Sequence, residues 1–225
     1  PRDWSSDVCS SDLREADALE KYNNDLADDI DFYRFIQYKF SQQWSQLKEY
    51  ANENGVEIIG DIPLYVAMDS SDVWQNPEVF QLDEDLMPKK IAGVPPDAFS
   101  ETGQRWGNPL YDWKALEKDD FFWWRKRMEH SANLYDVIRI DHFIGMVKYY
   151  SIPTEDEDAR NGKWNKGPGM KLIRAINESI GDKRIIAEDL GVKMPEVIEV
   201  LEKSGYPGMK VLEFAFDGNR KNDHL

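Results

Sequence analysis

Cysteine occurs once, at Cys9, and histidine three times, at His130, His142 and His224. A single thiol rules out a disulfide framework, so a reducing, cytoplasmic setting is the natural expectation. The scattered histidines have no metal-ligand spacing, and no metal site is expected. No apolar run approaches the ~20 residues of a membrane span. Positive charge is also short: 28 Lys and Arg face 43 Asp and Glu, for a net −15. That balance excludes a general nucleic-acid binder, because nothing would neutralise a run of phosphates. "GPG" at 167–169 fits neither the P-loop nor the dinucleotide fingerprint, so it is not read as a phosphate cradle. What is plentiful is apolar and aromatic: 41% hydrophobic and 12% aromatic residues suffice for a sizeable core in 225 residues. Aromatics together with acids suit a neutral polar ligand such as a sugar.

The stretch "RDWSSDVCSSDL", Arg2–Leu13, has no apolar period and no signal-peptide h-region. It resembles the translation of a sequencing-library adaptor. Residues 1–13 are therefore expected to be non-native and are set aside, leaving 14–225 as the folding unit.

From Asp31 onward Phe32, Phe35, Ile36, Phe40, Trp44, Leu47 and Ala51 follow helical spacing, and Gly55 ends that helix. "VEIIGD" then reads as a short strand. A helix opening at Asp119-Asp120 runs into the strand "DVIRID". Met170, Ile173, Ile176 and Ile180 mark another helix, followed by "RIIAED". Pro195 starts a fourth, Gly205 ends it, and "MKVLEF" is expected to be the fourth strand. Helix and strand thus alternate four times, with continuous apolar strands of the kind found in parallel sheets covered on both faces. The segment from Asp61 to Asp119 has no clear period and holds six of the eleven prolines, so it reads as a long functional loop. Residues 154–169 read as a second polar loop whose acid run is solvated.

Asp61, Asp141 and Glu188 each sit where a strand hands over to its loop. In a parallel (β/α) barrel those ends share the face that carries the active site. One such acid alone is more often a turn cap or half of an ion pair; three in matching positions point to a site. Asp141 and Glu188 would supply the ionised nucleophile and the protonated acid of glycosidic chemistry. Arg139, two residues before Asp141, projects from the same side of the strand and would keep that carboxylate ionised, or form a purely structural pair. His142 has a structural role as its stronger reading, with a hydrogen bond to a sugar hydroxyl as the functional one. Trp106 either stacks on a sugar ring, with Gln104 and Asn108 as hydrogen-bonding neighbours, or plugs its loop onto the barrel.

Six blocks in order, "GDIPLYVAMDSSDVWQNPEVF", "VPPDAFSETGQRWGNPLYDW", "RIDHFIG", "WNKGPG", "AEDLG" and "PGMKVLEFAFDG", resemble the amylomaltases. These are the 4-α-glucanotransferases, or disproportionating enzymes, of glycoside hydrolase family 77. The resemblance runs from about Asp31 to the C-terminus. It implies a (β/α)8 TIM barrel, here about half present with a long βα-loop insertion, and transfer of α-1,4-glucan segments between malto-oligosaccharides through a covalent glucosyl-enzyme. It implies no organic cofactor and no catalytic metal. By motif, Asp141 is similar to the nucleophile, Glu188 to the general acid/base and Arg139 to the arginine holding the nucleophile. Asp61 falls in the donor-site block, and Asp97, Gln104 and Trp106 on the mobile loop over the acceptor side. Phe214 resembles an aromatic on the acceptor path.

Two departures stand out. Ile144 replaces the second arginine of the family's R-I-D-H-F-R-G. The family's third carboxylate belongs to a His-Asp block that the resemblance places beyond Leu225. The chain is accordingly expected to be an internal fragment, inactive as given. Two rivals remain at this stage: an α-amylase-type retaining hydrolase, and a non-catalytic glucan-binding fragment.

Overall fold

The computed structural model describes residues 13–216, 218 and 222. Cys9, His224 and nearly all of the adaptor-like stretch lie outside them. The helices are α1 (Ala16–Asp25), α2 (Ala27–Glu53), α3 (Ser71–Gln75), α4 (Trp113–Lys118), α5 (Phe122–Leu134), α6 (Ile144–Val147), α7 (Met170–Ile180) and α8 (Pro195–Ser204). The strands are β1 (Ile59–Pro63), β2 (Lys90–Val94), β3 (Gln104–Pro109), β4 (Val137–Asp141), β5 (Lys148–Pro153), β6 (Lys163–Lys166) and β7 (Arg184–Ala187). Two compact units contain them, one made of the residues up to Val56 with Leu82–Met87, the other of Glu57–Gln81 and Pro88 onward. Among the described residues no helix is long and apolar enough to cross a membrane.

In the first unit α2 ends as its sequence demands. Val56 N–H bonds the Ala51 carbonyl and Gly55 N–H that of Asn52, while Gly55 sits at φ 73°, a conformation only glycine adopts without penalty. No residue of α1 or α2 is buried. The apolar stripe that forecast α2, including Phe32, Phe35 and Phe40, is exposed in this chain.

The second unit holds two sheets. β1, β4 and β7 are parallel, in the order β1-β4-β7. Ile138 and Ile140 of β4 are fully buried, which places the central strand deep in the core. Helices α5 and α7, leading into β4 and β7, pack on each other. Trp124 and Tyr111 anchor an aromatic cluster with Trp113, Trp123 and Phe80. Arg127 lies over the Trp124 ring at 5.0 Å and donates to the carbonyls of Pro63 and Leu64, so the same helix fixes the chain where β1 ends.

The second sheet, antiparallel in the order β3-β2-β5-β6, corrects the expectation of a structureless loop between Asp61 and Asp119 and of another at 154–169. Its central pair, β2 and β5, joins residues as far apart as Lys90 and Pro153, and β2 meets β3 with a register shift between Ile91 and Gly93, so no local period announces the sheet. Gly93 admits the crossing: a Cβ there would lie 2.1 Å from the Gln104 carbonyl oxygen.

The fourth strand, "MKVLEF", is also corrected. Leu212–Phe216 form a 3-10 helix. Pro207 accepts a hydrogen bond from Ala187 N–H of β7, but the Met209 N–H, the donor two residues on that would continue a parallel ladder, goes to the Asp189 side chain. The ladder stops after one bond because a side chain takes the donor that pairing would need.

Candidate active site

The parallel register alone brings the charged residues together. Asp61 lies opposite Arg139, Pro63 opposite Asp141, and Ile140 opposite Ala187, the residue before Glu188. Arg139 then bridges two of the acids: Nη1 reaches Asp61 Oδ1 at 2.6 Å and Nη2 reaches Asp141 Oδ1 at 2.9 Å. The planar guanidinium fork suits two carboxylates at once. Asp141 keeps 45% of its side-chain surface exposed while paired, so it remains approachable by a ligand.

Glu188 is treated oppositely. It is 9% exposed. Oε2 accepts from the His142 backbone N–H and Oε1 from that of Leu190, both at 2.8 Å. Burial pushes its pKa up; the two backbone donors pull against that, Asp141 adds to the rise and Arg139 opposes it. Two carboxylates on adjacent strands thus have different environments, one paired with a cation and open, the other desolvated and inclined to hold its proton.

His142 connects them. Its φ of 53° turns the chain after β4 so that its N–H meets Glu188, and Phe143 N–H bonds the Glu188 carbonyl. Histidine tolerates this region better than most residues. The residue is half-buried, its Nε2 is shielded from solvent with no hydrogen-bond partner among the described residues, and burial drives its pKa down to about 4, against which Asp141 pulls upward. It is a neutral imidazole near pH 7. Ile144, where a second arginine was expected by resemblance, is 5% exposed at the start of α6 and has an apolar role.

Trp106, on β3, packs its ring edge-on against His142 at 4.7 Å and tilted against Tyr65 at 6.2 Å, with 37% exposure. Its indole N–H donates to Gln104 Oε1 at 3.0 Å. Asn108 spends its amide on the Val66 carbonyl at 2.9 Å, tying β3 to the segment after β1. Asp97 lies in a different neighbourhood: Oδ1 caps a turn by accepting from Phe99 and Ser100 N–H, and Phe99 stands 6.3 Å from the Phe214 ring. Phe99, Phe214, Asp189, Met194 and Met209 line a cavity of about 630 Å³.

Sequence reasoning passed over Tyr65, Asp189 and Met209. Asp189 adjoins Glu188 and was open to notice; nothing local marks Met209, which reaches the site only through the fold.

A family model described as 4-alpha-glucanotransferase matches residues 2–225. A 4-alpha-glucanotransferase of Clostridium butyricum is 52% identical over 223 residues, 99% of this chain and 45% of that protein. One of Thermus thermophilus is 49% identical over 212 residues, 94% of this chain and 42% of the relative. An amylomaltase from Streptococcus agalactiae, solved in complex with acarbose, superposes with a TM-score of 0.92 at 43% identity, over 97% of this chain and 44% of that one. The chain spans somewhat less than half the length of these relatives.

Proposed function

The chain belongs to the 4-alpha-glucanotransferase family, and from that premise we propose that the full-length protein moves α-1,4-glucan segments between malto-oligosaccharides with retention of configuration. The observation that carries this reading is the contrast between the Arg139-paired Asp141 and the buried Glu188 on neighbouring strands.

Asp141 is the nucleophile. Its carboxylate attacks the anomeric carbon while Glu188 gives its proton to the departing glycosidic oxygen, which leaves as the free hydroxyl of the shortened chain. The glycosyl group is then held as an ester on Asp141. Glu188, now ionised, takes the proton of an incoming sugar hydroxyl as that oxygen displaces Asp141 from the same carbon. Two inversions give retention. Arg139 and Asp61 hold Asp141 in place. Trp106, oriented by Gln104 on a strand that Asn108 ties to the segment after β1, offers an aromatic face to the acceptor; His142 borders the donor sugar as a neutral group. Asp97 shapes the turn carrying Phe99 beside Phe214, an aromatic pair suited to a glucan chain. A cytoplasmic location belongs to the same reading and rests on the scarcity of cysteine.

Maltotriose is the deciding substrate. Transfer yields a ladder of longer glucans, whereas the α-amylase-type hydrolase would give only shorter sugars. A slow fluorinated donor should also leave a glycosyl mass on the peptide containing Asp141. Shorter sugars alone would overturn transfer; a label on any other residue would overturn the assignment of the nucleophile.

A further inference from the structure

The guanidinium of Arg139 has a third contact. Its Nε–H points away from both carboxylates and donates to the Met209 sulfur at 3.1 Å. Asp61 and Asp141 hold its two far nitrogens, but both carboxylates keep much of their surface exposed, 61% and 45%. The contact at Nε adds a third anchor at the near edge of the guanidinium and limits how far the group can follow either carboxylate. A thioether is a weak, neutral acceptor, so it supports Nε–H without drawing the arginine's charge from the two carboxylates, as a third acid would.

Met209 is itself mounted. Its N–H donates to Asp189 Oδ1 at 2.8 Å, and Ala187 N–H bonds the Pro207 carbonyl at 2.9 Å. Between them Gly208 presses against Asp189: a Cβ at 208 would lie 2.6 Å from both carboxylate oxygens. The path Ala187–Glu188–Asp189 therefore carries the acid/base residue and, one residue on, the support of the segment that steadies Arg139. We propose that Met209 is a positioning residue which, mounted on Asp189, sets the orientation of Arg139 and through it that of the Asp141 carboxylate. This rests on the reading of Asp141 as nucleophile, but the contact itself can be tested without any activity.

The test is the Arg139 Nε–H signal in a nitrogen–proton NMR spectrum of the full chain, identified by cross-relaxation to the Met209 methyl. The Arg125 Nε–H, bonded to the Asp120 carbonyl, is the control. In the unsubstituted protein the Arg139 signal should be protected from solvent exchange; an unprotected signal there overturns the proposal before any variant is made. Met209→Leu keeps the approximate volume and removes the sulfur. It should speed Arg139 Nε–H exchange by on the order of 10-fold, the loss expected for one weak contact, and leave Arg125 unchanged. Asp189→Ala, which removes the mount and keeps the sulfur, should act in the same direction and less.

In glucan transfer by the full-length protein, Met209→Leu should lower kcat by on the order of 10-fold with KM little changed, as misplacement of a reacting group does. Met209→Gln, which restores an acceptor, should recover part of that loss. Protection unaltered in Met209→Leu, or exchange accelerated with kcat intact, refutes the positioning role. If the unsubstituted full-length protein transfers no glucan while Met209→Leu still exposes Nε–H, the proposed function fails and the Arg139–Met209 contact stands.

Discussion

The parallel sheet β1-β4-β7 and the antiparallel sheet β3-β2-β5-β6 divide the work of the second unit. The parallel sheet centres on a strand whose Ile138 and Ile140 are fully buried, and it ends in the charged residues Arg139, Asp141 and Glu188. The antiparallel sheet has exposed outer strands, β3 and β6, around a small cluster of Ile91, Tyr150, Ile152 and Ala159. Its β3 contributes Trp106. Chemistry that needs carboxylates held in fixed register occupies the deeper layer, where packing leaves few alternatives. The aromatic proposed to face the acceptor, Trp106, sits on the more exposed layer. Fixed carboxylates and exposed aromatic are thereby assigned to different sheets.

The hardest test of that division is Asp141→Asn. In the full-length protein it should lower glucan transfer by roughly 10⁴-fold or more while binding of malto-oligosaccharides persists, since the proposed nucleophile acts in the chemical step. Calorimetry and product analysis together check both halves, and transfer at near-normal rates would break the assignment. Glu188→Gln comes next, at about 10²–10⁴-fold. A donor with an activated leaving group should rescue its glycosylation step alone, seen as a burst of leaving group followed by slow turnover.

Stability should follow the same layering. Ile140→Ala and Ile152→Ala each empty a fully buried site and should cost about 2–5 kcal/mol in urea unfolding. Ile140→Ala should also slow the chemical step in whatever protein remains folded, because its neighbour Asp141 loses its footing. Ile152→Ala should act chiefly on affinity for the acceptor. Equal effects of both on kcat would erase the distinction between the layers.

Acid and base should act through different groups of the deeper layer. His142 is depressed from 6.5 to about 4, so its contribution to stability is present above pH 6.5 and lost as pH falls toward 4. Glu188 is raised, so its contribution is present below the ordinary carboxylate value and lost as pH rises through its elevated one. Urea midpoints across pH 4–8 should therefore lose their acid-side fall in His142→Asn and rise on the alkaline side in Glu188→Gln. The smallest effect on stability is expected of Trp106→Ala, about 0.5–1.5 kcal/mol for its ring contacts. Its mark should be on product distribution instead, with a higher acceptor KM and a larger hydrolysed fraction.

The sequence by itself determined the elements whose signals are local. The 3.6-residue period and a terminal glycine define α2; proline at its first position and Gly205 after its last define α8; apolar runs ending in acids define β4 and β7. The same local logic put Asp61, Asp141 and Glu188 at strand ends; Asp141 does end β4 and Glu188 directly follows β7, but Asp61 is the middle residue of β1, because the strand runs on to Pro63 in register with β4. The block resemblance named their roles. Tertiary structure decided the rest. The antiparallel sheet, the burial that separates Glu188 from Asp141, the arrest of "MKVLEF" as a 3-10 helix and the meeting of Arg139 with Met209 all depend on groups far apart in the chain. A hydrogen bond donor such as Met209 N–H can pair with a strand or with a carboxylate, and only the packed fold, by putting Asp189 2.8 Å away, makes that choice.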